Sequence, residues 1–431
     1  MFNEYIRSRK DEIINSVLES VKINSVEGTP QPGMPFGHGV NDALEHALTL
    51  AENMGFRTKN VDGYFGYAEY GEGEELVAVL GHLDIVPVGD DWTFDPWGEI
   101  VDDKIYGRGT LDDKGCIIGA LYALAAVREL AGNLKRRIRI IFGTNEETGS
   151  KDMVKYNESE ETPVMGFTPD ADYPVIFSEK GIARVTLEKK ITDGSLLMAQ
   201  AGNAVNIVPG TAAMSFMSGN EVKHLTAEGI PAHGSTPELG KNAISAIMKQ
   251  TVEAGVSGDL GTFVEFYNKH ISEETDGQSL GLSCVTEKFG STTVNAGLMH
   301  KENECIKITL DCRYPASENF VMKVDGLKKL AAEYGIECTL IKNVEPLYIP
   351  EDSVLVQTLM EVYNQQTGEK AEPVVIGGGT YAKAVKNIVA FGPVFPGQES
   401  VIHQKDEFIS IEHLMKNIEI MAHAMYRLAS S

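Results

Sequence analysis

A chain of 431 residues exceeds what one hydrophobic core usually organises, so two or three domains are expected. Its 42% hydrophobic and 23% charged content is ordinary for a water-soluble globular protein. With 38 basic against 62 acidic side chains the formal charge is -24, which disfavours nucleic acid or an anionic membrane as a partner.

The five cysteines (Cys116, Cys284, Cys305, Cys312, Cys338) are odd in number and form no Cys-x-x-Cys pair. They point to free thiols in a reducing compartment. The N-terminal residues Met1 to Arg7 carry charges where a signal peptide needs an apolar core. No apolar run approaches the roughly 18 residues of a membrane span. A cytoplasmic location is the expectation.

In chain order, apolar residues at Ile6, Ile13, Ile14, Val17 and Leu18 predict an amphipathic helix. A Gly/Pro-rich loop separates it from a second helix carrying Val40, Ala43, Leu44, Ala47, Leu48 and Ala51, which Gly55 ends. A strand is expected over Tyr64 to Tyr70. The run Leu76-Val77-Ala78-Val79-Leu80 then reads as a buried strand that delivers Gly81-His82-Leu83-Asp84 to a sheet edge. That is where open α/β sheets collect their chemistry. Strand alternation puts His82 and Asp84 on one side, so that one can coordinate while the other orients it.

Tyr106-Gly107-Arg108-Gly109-Thr110-Leu111-Asp112-Asp113-Lys114-Gly115 leads into a helix carrying Ile117, Ile118, Leu121, Leu124, Ala125 and Leu130. A strand over Arg137 to Phe142, the turn Asn145-Glu146-Glu147-Thr148-Gly149, a short helix and a strand over Val164 to Phe167 follow. The last of these ends at Thr168-Pro169-Asp170. This alternation predicts a mostly parallel, doubly wound α/β sheet. From Ile182 the pattern changes to an α+β mixture, with strands over Ala183 to Leu187 and Met214 to Met217 and a helix over Lys241 to Val252. Near Glu345 the first style returns, with a helix over Ser353 to Gln366, strands over Val374 to Ile376 and Asn387 to Phe391, and a final helix from Ile411. The expected organisation is a catalytic domain over 1-181 and 346-431, interrupted by an inserted domain over 182-345.

Acidic and imidazole side chains recur where these strands end: His82 and Asp84, Asp112 and Asp113, Glu146 and Glu147, Asp170, and later His403. Such a mixed N/O set suits zinc or manganese. Two ions sharing a carboxylate would sit about 3.5–4 Å apart and activate a water between them. In the Glu146-Glu147 pair, one carboxylate can bind metal while the other handles protons.

Gly81-His82-Leu83-Asp84, Tyr106-Gly107-Arg108-Gly109, Asp112-Asp113-Lys114-Gly115, Asn145-Glu146-Glu147-Thr148-Gly149 and Thr168-Pro169-Asp170 together resemble the co-catalytic dinuclear-zinc aminoacylase/peptidase family. That family includes desuccinylases, acetylornithine deacetylase, carboxypeptidases and bacterial dipeptidases. The resemblance covers essentially the whole chain in order. It implies His82, Asp112 and Asp170 as ligands of one metal, and Asp112, Glu147 and His403 as ligands of the other, with Asp112 bridging. It further implies Glu146 as general base, Asp84 as the partner that orients His82, and a cis peptide at Asp112-Asp113. The cofactors implied are two divalent ions per chain, zinc first and manganese as the alternative.

The inserted domain is similar to the family's α+β, ferredoxin-like lid. There Glu228-Gly229-Ile230-Pro231-Ala232-His233-Gly234-Ser235 matches a lid motif whose histidine (here His233) donates to the oxyanion. Asn206 and Arg313 match groups for the oxyanion and for a substrate carboxylate; an arginine suits the latter through its bidentate fork.

Gly377-Gly378-Gly379-Thr380-Tyr381-Ala382, with Glu399 further on, fits a dinucleotide fingerprint in form, but too little chain follows it for a nucleotide-binding half. A tight turn is a second reading. The preferred one is an anion cradle at a helix N-terminus, with Gly378, Gly379 and Thr380 holding a substrate carboxylate. No Gly-x-Ser-x-Gly elbow, His-Glu-x-x-His or phosphate loop is present.

Asp170 as the ligand after the Glu pair, and an insert larger than a compact dimerisation domain, favour a dipeptidase. It would hydrolyse short peptides and work as a monomer in preference to a dimer. An N-acyl amino acid deacylase is the alternative. A non-catalytic metal-binding protein would need neither Glu146 nor His233.

Overall fold

The apolar run at Leu76 becomes the strand Leu76–His82, buried at every position. In a computed structural model describing residues 1–431, this strand lies between Arg137–Gly143 and Met165–Thr168 and is parallel to both. Met165–Thr168 is in turn parallel to Ile388–Ala390. Beyond Arg137–Gly143 the strands Phe65–Tyr70 and Arg57–Val61 continue the sheet in antiparallel fashion. The sheet centre is therefore parallel, as the strand–helix alternation predicts.

Helices cover both faces. Ile117 of the helix Lys114–Leu130 lies against Gly81, while the Tyr381 ring lies against Gly143, the neighbour of His82 on the opposite face. Lys114–Leu130 is buried almost throughout because Ile411–Ser430 and Lys10–Val21 both pack on it. The expected first helix is two, Phe2–Ser8 and Lys10–Val21, broken at Arg9.

These elements belong to the first of two compact units, Met1–Phe177 with Ile349–Val374 and Thr380–Ser431. The second unit is Ser178–Tyr348 with Val375–Gly379. Gly377, Gly378 and Gly379 thus group with the second unit, whereas the sequence placed them in the returning part of the first. The cause is local: Ile376 accepts from the Lys180 amide at 3.0 Å, and Gly377 accepts from Arg313 at 3.4 Å.

The second unit is built on a seven-stranded antiparallel sheet, in the order Glu221–Glu228, Thr211–Ser218, Leu196–Ala201, Thr293–Glu302, Cys305–Tyr314, Gly181–Lys190, Glu337–Val344. The last four, taken in chain order, have the 4-1-3-2 arrangement of a ferredoxin-like sheet. Helices fall between its first and second strands (Ala243–Glu253, Gly258–His270) and between its third and fourth (Phe320–Glu333). Three further strands extend the edge beside Thr293–Glu302. Val185, Leu187, Met248, Phe263, Ile308, Leu310 and Leu327 form the core between sheet and helices.

Candidate active site

Three strand ends and one loop of the first unit converge. His82 closes its strand, Asp112 and Asp113 precede the helix Lys114–Leu130, Glu146 and Glu147 follow Arg137–Gly143, and Asp170 follows Met165–Thr168. His403, in a loop before Ile411–Ser430, joins them. The Asp112 carboxylate stands at the centre. One oxygen lies 3.0 Å from His82 Nε2 and the other 3.0 Å from His403 Nε2. His403 Nε2 is also 3.1 Å from Glu147 Oε1, and His82 Nε2 is 3.8 Å from Asp170 Oδ1. The result is two triads that share Asp112: His82, Asp112 and Asp170, and Asp112, Glu147 and His403, with donor atoms in each triad within 4.8 Å of one another. The Asp112-Asp113 peptide is cis.

The electrostatics are those of a site with too many acceptors. Burial, and then the charge of Asp170, push Glu146 well above the usual carboxylate range. Burial likewise raises Asp170 to about 7. Burial alone would lower His82, yet Asp112, Asp170 and Asp84 outweigh it and hold the imidazole well above its ordinary value. Hydrogen bonds to Asp112 and Glu147 raise His403 to about 10. In the absence of metal, protons on these histidines and carboxyls take up charge that bound cations would neutralise. This excess, and the mixed imidazole/carboxylate donor set, fit two divalent ions.

Asp84 meets His82 as expected and has a further set of partners. It lies just past the strand, and its main-chain carbonyl, not its carboxylate, is the nearer partner of His82 Nδ1, at 3.0 Å against 3.5 Å. The carboxylate instead accepts the amides of Glu146 and Glu147 at 3.2 and 3.1 Å. Asp84 therefore orients His82 through its backbone and the Glu146-Glu147 turn through its side chain.

Two supports of this turn have no local sequence signal. Asp152 accepts the amides of Thr144 and Asn145 at 2.6 and 3.0 Å and the hydroxyl of Tyr381. The Tyr381 ring meets His82 edge-on, with centroids 5.9 Å apart. A side chain at position 143 would collide with that ring.

The second unit gathers a different set. His233 is exposed, and its Nδ1 lies 2.7 Å from Ser235 Oγ. Burial of part of the ring, and then the charge of Arg313, lower its pKa below the ordinary value. Asn206 accepts the Gly234 amide at 2.7 Å through its main-chain oxygen. Buried Arg313 donates from Nε to Asp311 at 2.8 Å and from Nη1 to the Gly377 carbonyl at 3.4 Å.

The expected helix after the glycine run is absent. Tyr381–Ala384 is a single 3-10 turn, capped by the Thr380 hydroxyl. Gly378, Gly379 and Thr380 consequently precede one short 3-10 turn and not an α-helix, and the helix that the dinucleotide fingerprint needs is missing. Of the remaining histidines that lack motifs, His224 pairs with Ser215 and His423 with Asn3, while His46 Nε2 and His270 Nε2 are buried without a hydrogen-bond partner.

Imidazole and carboxylate donors gathered in this way suit divalent metal ions, and similarity to known proteins makes the chain a metal-dependent hydrolase. The pattern of peptidase family M20/M25/M40 matches residues 78–427, and the chain belongs to that family. Membership implies binding of two divalent metal ions. The chain is 37% identical, over 99% of both chains, to the Bacillus subtilis (strain 168) protein named "Putative dipeptidase YtjP". Its fold is similar to that of human carnosine dipeptidase 1, with a TM-score of 0.63, 16% identity, and coverage of 100% of this chain and 98% of the other. It is also similar to that of the Bacillus subtilis YXEP protein, a dinuclear metal binding peptidase, with a TM-score of 0.58, 14% identity and 99% coverage of both chains.

Proposed function

We propose that the protein is a dipeptidase that hydrolyses the peptide bond of short peptides at a site holding two divalent ions, zinc first and manganese second. His82, Asp112 and Asp170 hold one ion, and Asp112, Glu147 and His403 hold the other. When bound, the two ions supply Lewis acidity for the peptide carbonyl and for the attacking water. Glu146, which belongs to neither triad, takes the proton of that water and passes it to the leaving nitrogen. Asp84 fixes Glu146 by binding its amide. His233 and Asn206 serve the developing oxyanion, and Arg313 serves the substrate carboxylate. Five free cysteines suit a reducing compartment such as the cytoplasm.

The observation that carries this reading is the Asp112 carboxylate, whose two oxygens face two different histidines while Glu146 stands beside Glu147 outside both triads. The name of the Bacillus subtilis relative supports dipeptides as the substrate class. The test is turnover of a panel of dipeptides, tripeptides and N-acyl amino acids by protein of measured metal content. Dipeptides alone should be cleaved briskly. Brisk cleavage of acyl substrates would instead make the enzyme a deacylase, and brisk tripeptide cleavage would remove the dipeptidase assignment.

A further inference from the structure

The segment Tyr106-Gly107-Arg108-Gly109 precedes the bridging aspartate, yet none of its side chains enters either triad. Its function becomes visible from the opposite end of the chain. Glu407, fully buried, places Oε1 within 3.0 Å of the Gly109 amide, 3.0 Å of the Leu111 amide and 3.2 Å of the Asp112 amide. Its Oε2 accepts from Arg108 Nη1 at 2.6 Å, and its own carbonyl accepts the Gly107 amide at 2.9 Å. One residue thus gathers the main chain from Gly107 to Asp112. Gly107 and Gly109 take φ of 148° and 88°, which side-chain-bearing residues rarely adopt, and this lets the loop curl its amides around one carboxylate.

Glu407 is also four residues from His403. The loop between them is held on its other side by Asp406, which accepts the Thr93 and Phe94 amides at 2.7 and 3.2 Å. Arg108 in turn lies over the Trp92 ring, 5.3 Å from its centroid. Asp112 and His403 come from strands of chain nearly three hundred residues apart, and Glu407 is bonded to the loop of the first while its own loop carries the second.

We propose that Glu407 is a positioning residue that sets His403 against the bridging Asp112 and so builds the Asp112, Glu147 and His403 metal site. The inference rests on the two-metal reading given above. Its consequence is selective. The site of His82, Asp112 and Asp170 draws its other two ligands from the ends of parallel strands, which do not need Glu407. The second site depends on the register of two loops, which does. Groups that orient metal ligands typically contribute about 10- to 100-fold to metal affinity.

The test is a calorimetric titration of chelator-stripped full-length protein with Mn2+ or Zn2+, comparing wild type, Glu407→Gln and His403→Ala. Wild type should bind two ions in two steps, and His403→Ala should retain only the first, which identifies it. Glu407→Gln should keep the first step and weaken the second by about 10- to 100-fold. Its kcat should recover on adding excess metal, with KM unchanged, which a general folding defect would not allow. Equal affinities in wild type and Glu407→Gln, or an equal loss at both steps, would overturn the inference while leaving the two-metal reading intact. A wild type that binds no metal would end both. Should Glu407→Gln not fold, Arg108→Gln keeps the three amide bonds and removes the ion pair; the same selective weakening of the second step is expected, and its absence would overturn the inference.

Discussion

The two units carry polar clusters of opposite character. In the first, five carboxylates (Asp84, Asp112, Glu146, Glu147, Asp170) surround two histidines at strand ends, largely out of solvent, and burial pushes Glu146 and Asp170 upward. No lysine or arginine belongs to either triad. In the second unit, Arg313 donates to Asp311 and to the Gly377 carbonyl, while His233 Nδ1 lies 2.7 Å from Ser235 Oγ and accepts the Ser235 amide at 3.3 Å. Arg313 carries the positive charge of that cluster, paired with Asp311 at 2.8 Å. The contrast is one of charge: carboxylates dominate the first cluster, and an arginine paired with an aspartate marks the second.

Changes to the triad residues of the first unit should therefore alter metal content, and changes in the second unit should not. Asp112→Ala should have the largest effect, because it removes a donor from both triads. Metal analysis should find loss of both ions, with turnover falling to background. Retention of two ions would break the comparison. Arg313→Lys should be milder, raising KM by roughly ten- to a hundredfold, since a charge-assisted hydrogen bond contributes about 1.5–3 kcal/mol. The same sample should keep its two ions, as elemental analysis can check.

The smallest effect sharpens the comparison on the supporting side. Burial, and then the charge of Asp84, raise the Asp152 carboxyl to about 6. Its folded value is above its unfolded value of 3.8, so the folded protein holds this proton while the unfolded chain releases it. Both states are protonated below the unfolded value, and the stability from this group is fully present there. It is lost as pH rises through the folded value, over roughly pH 4 to 6, and amounts to at most ~3 kcal/mol. Thermal melts of metal-free Asp152→Asn should show a flatter decline across that window than wild type. Parallel profiles would remove the assignment.

The order of strands and helices around the site was legible because fully buried parallel strands are continuous apolar runs, as Leu76 to Leu80 shows. Polar clusters follow at three of their ends, and with Asp112 and His403 from loops all five of the predicted metal-ligand residues fall in the two triads. Three features were not legible. Arg57–Val61 is a largely polar, exposed edge strand without alternation. The segment after Thr380 has helix-forming residues, but only one 3-10 turn forms before Asn387 takes a φ of 63°. Asp84, Asp152 and Glu407 act through amides distant in sequence, and a carboxylate's choice of distant amides leaves no local pattern. The glutamate at 407 sits in an unremarkable Lys405-Asp406-Glu407 run and acquires its partners only when the chain folds.

The central claim is that Glu146 moves protons and binds no metal. Glu146→Gln is nearly isosteric, so the direct measurement is metal content and dipeptide turnover on the same preparation. Two ions per chain should remain, with kcat reduced by about 10²- to 10⁴-fold, the range of a general base. A variant that keeps wild-type turnover, or one that loses an ion in step with its activity, would contradict the account.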